Sequence, residues 1–226
     1  MARTRITSAL AAAAATAAAV AGTAPPAAAA PGDTVTTTVP EALGRLQVAA
    51  EDRTGYSRGK FPHWTDEDQD GCDTREDVLV EEAVTPPTVD ARCTTVVGGA
   101  WHSYYDKKDH TGAGGLGIDH TVPLGEAWGS GASRWSEEER RRFANDRDDP
   151  RVLNAVSATE IRLKAGRDPA RWEPSDDSAD CRYIAEWVVV KSRYRLSVDR
   201  AEAAALENMA AECPDEEMEI TYTTAR

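Results

Sequence analysis

Large apolar side chains are scarce in this chain of 226 residues: it holds two Phe and three Met and is only 6% aromatic. Beyond an alanine-rich N-terminal stretch, no segment reaches the roughly 20 apolar residues of a membrane-spanning helix. An excess of cations is also missing, since 26 Lys and Arg stand against 39 Asp and Glu, a formal net charge of −13. That balance counts against a general nucleic-acid coat protein, whose affinity comes from neutralising many phosphates. It leaves room for an enzyme with a small local basic site. Cysteine is limited to Cys72, Cys93, Cys181 and Cys213, and no two of them have the short spacing of a zinc knuckle.

What the chain does have begins with a targeting pattern. Arg3 and Arg5 form a positive start, Ala9 to Val20 an apolar small-residue run, and Ala27-Ala28-Ala29 a small-x-small cleavage site. This predicts a signal peptide over residues 1–29, cleaved near Ala29, and a secreted protein with no membrane partner. Losing Arg3 and Arg5 takes the net charge from −13 to −15. Export places the four cysteines in an oxidising compartment. Four cysteines allow three pairings; Cys72–Cys93 and Cys181–Cys213 are expected because each pair brackets one local unit. By the loop-entropy argument each bridge contributes roughly 3–4 kcal/mol.

Residues 30–40 are polar and Thr-rich with no apolar period, and read as a flexible leader to one domain over 41–226. A helix is expected from Pro40, with Leu43, Leu46 and Ala50 on one face. An aromatic and basic loop follows, Gly55 to Trp64. Asp66, Asp68 and Asp70 then have the one-three-five spacing of a calcium loop, with Gly71 at position six and Asp77 at twelve. The alternative is an acidic turn in which Asp73 caps the next helix. Arg75 in the first turn of that helix opposes its dipole, which points it either to an acidic or phosphate partner or to solvent. Cys93–Val97 and Ala100–Tyr105 read as a β-hairpin across Gly98-Gly99.

Leu116 to His120 is a short strand ending in a carboxylate beside an imidazole, and Pro123 closes the run. Ser136 caps a helix with three Glu and then three Arg. Val152–Ser157 is a second strand candidate, followed by a short helix that carries Arg162 and Lys164. Two last helices, one with Ile184, Trp187, Val188 and Lys191 and one opened by Asp199 and Glu202, are clamped by Cys181 and Cys213. Strand, strand and basic helix around an Asp-His pair suit phosphodiester hydrolysis, where a hard cation polarises phosphate and a base activates water.

On these residues the chain resembles the HNH nuclease superfamily. More closely it resembles the secreted HNH proteins related to the C-terminal domain of GmrSD-type restriction endonucleases. The resemblance covers Tyr56 to Cys213. It is carried by Phe61-Pro62-His63-Trp64, Asp70-Gly71-Cys72-Asp73-Thr74-Arg75, Ile118-Asp119-His120-Thr121-Val122-Pro123-Leu124, Phe143-Ala144-Asn145-Asp146 and Val156-Ser157-Ala158. Asp168-Pro169-Ala170 with Trp172 adds to it.

The resemblance implies an α+β fold with a ββα-metal (HNH, His-Me finger) core, surrounding helices, a β-hairpin and two disulfides. It also implies an endonuclease that uses Mg²⁺ or Mn²⁺ on DNA, or on RNA. Asp119 would bind the metal, His120 would be the general base, and Arg162 and Lys164, with Arg75 as an addition, would contact phosphate. Two positions depart from the pattern. Relatives carry Asn where this chain has Ile161, and many carry Asp where it has Gly117. Isoleucine cannot ligate a hard cation, so Glu160 or Asn154 would have to substitute. Two alternatives follow: a catalytically degenerate HNH-fold protein that binds nucleic acid or another partner, and an extracellular interaction protein stabilised by calcium at Asp66, Asp68 and Asp70.

Overall fold

A run of β-branched residues, Thr34–Thr38, makes the first strand, β1, and Thr38 caps a single-turn helix, α1 (Val39–Leu43). The computed structural model describes residues 1, 29–90, 93 and 96–223. The expected signal segment lies outside them except at its two ends. Most of the expected leader is therefore structured: β1 pairs antiparallel along its whole length with the last strand, and Thr34 shares a hydroxyl hydrogen bond with Thr221 at 2.9 Å. Threonine tracts look featureless by hydrophobic period, yet their branched Cβ suits a ladder once a partner strand is supplied. The helix expected to reach Ala50 stops instead at Gly44.

The chain continues through α2 (Thr74–Glu81), β2 (Thr88–Val89), β3 (Val96–Val97), β4 (Trp101–Ser103), β5 (Lys108–His110), β6 (Leu116–His120), α3 (Leu124–Gly129) and α4 (Glu137–Ala144). It ends with β7 (Leu153–Ser157), α5 (Ala158–Lys164), α6 (Asp180–Arg193), α7 (Arg200–Ala211) and β8 (Glu217–Thr221). The strands form four separate antiparallel ribbons, β1–β8, β2–β3, β4–β5 and β6–β7. The expected hairpin across Gly98-Gly99 is not formed. β3 pairs back to β2, and β4 turns through 104–107 to pair with β5. Both glycines have positive φ, but they turn the chain between ribbons, and the indole of Trp101 leaves no room for a side chain at Gly99.

Several local signals act as expected. Asp73 caps α2, Ser136 and Glu139 make a capping box on α4, and Asp199 and Glu202 make one on α7. Both disulfides have the expected partners, Cys72–Cys93 and Cys181–Cys213, the second tying the first turn of α6 to the end of α7. The fold is thus α+β, with α6 as its buried axis: Tyr183, Ile184, Trp187, Val188, Val189 and Val190 are wholly covered. Both phenylalanines, Phe61 and Phe143, are also wholly buried. In a chain this poor in aromatic side chains, both phenylalanines go to the core, where burial stabilises most.

Candidate functional site around Asp119 and His120

β6 and β7 lie side by side with Asp119 opposite Asn154 and His120 opposite Leu153. Directly opposed residues share a face of a ribbon and successive residues alternate. Asp119, Asn154 and Gly117 therefore face one way and His120 the other. α5 leaves the end of β7 and packs on the ribbon, so strand, strand and helix follow in the expected order.

On the Asp119 face the structure is closed. Asp119 Oδ2 accepts from Lys164 Nζ at 2.5 Å and from Tyr105 Oη at 2.8 Å. Lys164 is 1% exposed and also donates to the backbone oxygens of His120 and Thr121. The rings of Tyr105, Trp172, Tyr183 and Trp187 surround its ammonium with centroids 5.4–5.7 Å away. Burial pulls the lysine below its ordinary range, and Asp119 opposes that pull. Lys164 is therefore an internal counter-ion, which corrects its expected contact with phosphate. Arg162 does face solvent, bonded only to Thr159. Two residues apart on a helix point about 200° away from each other, so one face could not have held both.

The substitutes for a metal ligand do not assemble. Asn154 is wholly buried; it donates to Thr121 and Glu186, and its carbonyl oxygen accepts from Arg182 at 3.1 Å. Glu160 accepts from Ser175 at 2.7 Å, and its other oxygen is buried without a partner. Among the described residues, neither Glu160 nor Asp119 belongs to a group of three or more carboxylate, imidazole or thiol ligands close enough to share an ion. Arg75 is paired with Glu76 at 2.9 Å. Ile161 reaches over Gly117 so closely that a Cβ built there would lie 2.7 Å from its Cδ1. Gly117 and Ile161, the two positions that depart from the pattern the chain resembles, are thus one packing unit, an aliphatic side chain filling the space a carboxylate at 117 would need. With the carboxylate oxygen held by an ammonium, a divalent cation would face a buried like charge. These residues do not fit a metal here.

The His120 face is different. His120 Nε2 lies 3.0 Å from the carbonyl oxygen of Ala144, which only accepts, so Nε2 carries the proton and Nδ1 the lone pair. Burial, with Arg58 and His63 nearby, pushes the imidazole down to about 3, and the ring is neutral. Phe143 and Trp64 sandwich it, with centroids at 6.3 and 5.5 Å. Trp64 holds a left-handed backbone, φ 57°, a strain of about 1–3 kcal/mol for a bulky residue. Asn145 supports that conformation: it donates to the Pro62 carbonyl and accepts from Thr65 N and from the Thr74 hydroxyl of α2.

The motif Phe143-Ala144-Asn145-Asp146 is explained residue by residue. Phe143 lies against the imidazole, Ala144 fixes its tautomer, Asn145 anchors the loop that covers it, and Asp146 ties α4 to Arg193 and Tyr194 of the α6 end. Tyr105, Glu186 and Asn145 were not legible as site residues. Only their tertiary neighbours give them a role.

Away from this ribbon, the carboxylates of Asp66, Asp68 and Asp70 converge, each within 4.8 Å of the others, and Gly71 N donates to Asp66 as a calcium loop requires. All three are exposed, and Asp68 is ion-paired with Arg147 at 3.3 Å. Asp77, at position twelve, is taken by Arg147 at 2.5 Å. The acidic turn capped by Asp73 is formed, and convergence of surface carboxylates does not by itself establish an ion.

The fold defines an α+β protein with two disulfides, and among the described residues no helix is long and apolar enough to cross a membrane. The chain belongs to the same family as an uncharacterized secreted protein of Arthroderma benhamiae, to which it is 40% identical over 178 residues, 78% of this chain and 85% of that one. No family model matches the sequence, and no solved structure matches the fold.

Proposed function

We propose that the chain is a secreted member of the HNH endonuclease superfamily, directed to nucleic-acid phosphodiesters, in which metal-dependent cleavage is impaired. The observation that carries this reading is the contrast between the two halves of the Asp-His pair. The His120 half keeps a neutral ring with its proton fixed on Nε2 and a lone pair on Nδ1, but burial makes it a far weaker base than a free imidazole. The Ala144 carbonyl would also stabilise an imidazolium formed there. The Asp119 half has an internal ammonium where the resemblance expects Mg²⁺ or Mn²⁺, and Ile161 against Gly117 where it expects two further ligands. The ββα order, the family motifs and the fixed tautomer support the superfamily. The closed carboxylate supports the impairment.

The test is a plasmid-nicking assay with the mature protein in Mg²⁺, Mn²⁺ and EDTA. The wild type is expected to cut at a rate within about threefold of His120→Ala in all three conditions. Gly117→Asp alone is expected to lose stability because of the Ile161 contact. Gly117→Asp with Ile161→Asn and Lys164→Leu, which also takes the ammonium off Asp119, is expected to gain at least 100-fold in EDTA-sensitive cleavage. Robust EDTA-sensitive cutting by the wild type, lost in His120→Ala, would overturn the impairment and restore the intact endonuclease.

A further inference from the structure

Most cations of this acidic protein are already neutralised: Arg45, Arg53, Arg75, Lys107, Lys108, Arg141, Arg142, Arg147, Arg151, Lys164, Arg171, Arg182, Lys191 and Arg193 all have carboxylate partners within 4 Å. Three that have none among the described residues stand together. Arg58 and Lys60 belong to a short 3-10 turn, Arg58–Lys60, and Arg140 on α4 donates to the Lys60 carbonyl at 2.8 Å. Lys60 Nζ and the Arg140 guanidinium stand over the indole of Trp128, 4.6 and 5.5 Å from its centroid. Trp128 is held from below by Thr54 and edged by Tyr56, itself 37% exposed.

Arg58 then donates to His63 Nε2 at 3.2 Å, and the His63 ring meets Trp64, the cover of His120. A continuous line thus runs from an aromatic-backed cluster of free cations to the imidazole.

We propose that Arg58, Lys60 and Arg140, mounted on Trp128 and flanked by Tyr56, are the strip that holds a phosphodiester backbone and leads it to His120. This rests on the nucleic-acid reading above and adds the surface that reading lacks, since Lys164 is internal and Arg75 is paired. A net-acidic protein repels a polyanion at long range, but screening limits that repulsion to about 8–10 Å at physiological salt. Unpaired cations within that distance decide whether a strand is held. The indole fixes two of them before binding, which lowers the entropy lost on association, and Tyr56 offers a face on which a base can stack.

The experiment uses the mature chain in EDTA, so that cleavage does not enter. Binding of a labelled single-stranded oligonucleotide is followed by anisotropy across 50–200 mM salt, beside thermal melts of each variant. Against the wild type, R58Q/K60Q is expected to bind at least 10-fold more weakly at the lowest salt. The triple variant with R140Q is expected to lose at least 30-fold and to flatten the log–log salt slope by about 2, near the 0.7 per phosphate of a single strand. Tyr56→Leu should weaken binding and leave the slope unchanged. Arg200→Gln, an exposed cation on α7, should change neither.

R58Q/K60Q gives up the Lys60 contact with the buried Trp128 indole and side-chain bonds to Gly55 O and His63 but leaves the Arg140 bonds in place, so its result stands even where R140Q lowers the melting temperature. Wild-type binding that R58Q/K60Q leaves intact would overturn the strip and leave the nucleic-acid reading standing. A wild type that binds no oligonucleotide would overturn both.

Discussion

Two lysines are sealed inside this protein, and their surroundings differ. Lys164 has one carboxylate, Asp119, with two backbone carbonyls, a tyrosine hydroxyl and four aromatic rings. Lys191 on α6 is 0% exposed and meets two buried carboxylates, Glu126 of α3 at 2.6 Å and Glu202 of α7 at 2.9 Å, with Ser130 and the Ser197 carbonyl completing its shell. Arg53 reaches the same Glu126 and brings Glu51 with it.

The Lys191 cluster joins three helices and a loop, and it shares the Trp187 ring with Lys164, the two ammoniums lying 5.6 and 5.7 Å from its centroid. It teaches that a buried lysine on a carboxylate in this fold is a tie between elements. By that comparison Lys164, although it lies beside the Asp-His pair, is a tie that has closed a site.

The comparison can be broken most forcefully at Lys191. Lys191→Met leaves Glu202 buried without a cation beside Glu126, which keeps only Arg53, and is expected to cost about 3–5 kcal/mol in urea unfolding at pH 8. The loss should shrink at pH 5, where the carboxylates can take up protons; a cost below 1 kcal/mol at pH 8 would remove the cluster's structural role. Lys164→Met strands a single carboxylate and should cost about 3 kcal/mol. Adding Asp119→Asn should recover part of it, a coupling of about 1–3 kcal/mol in the double-mutant cycle. No coupling would mean that Asp119 is free for another partner.

The smallest effect is in pH. Burial raises Glu202 to about 7 against the pull of Lys191, with Glu126 adding to the rise, and burial together with Glu126 raises Glu51 to about 7. Burial would raise Glu126 too, but Lys191 and its hydrogen bonds hold it down to about 2. The raised groups contribute stability that is full below their ordinary carboxylate range and lost as pH climbs through 7. The Glu126 contribution is present above that range and lost only as pH falls toward 2. Melting temperature is therefore expected to fall by a few degrees between pH 5 and 8, and Glu202→Gln should flatten part of that slope. Glu82, which burial raises to about 7, and Asp77, raised to about 6, act in the same direction. A melting temperature that rises over this window would contradict the arrangement.

Local chemistry was legible wherever it is settled by neighbours in the chain. Asp73, Ser136 and Asp199 cap their helices because a side-chain oxygen two or three residues from a free N–H needs nothing else. Strand β6 follows from the alternation of Leu116 and Ile118 with glycine and from the stop at Pro123, and β7 from the run Val152–Ser157. Legibility ended where a choice depended on a distant partner. The 34–38 threonines had no hydrophobic period to announce a strand, and Gly98-Gly99 carried a hairpin signal that the pairing of β3 with β2 overrode. Lys164 looked like Arg162, a cation on a short basic helix, and only the turn of α5 against the ribbon sent one inward and the other out.

The sequence by itself determined the secretory start, the two disulfides, the caps and the succession of strand, strand and helix around Asp119-His120, because each rests on short-range stereochemistry or on composition. The tertiary structure alone decided what Asp119 faces. A carboxylate on a strand end accepts equally from a metal or an ammonium, and the packing of α5, with Ile161 over Gly117 and Lys164 beneath the aromatic rings, brings the ammonium.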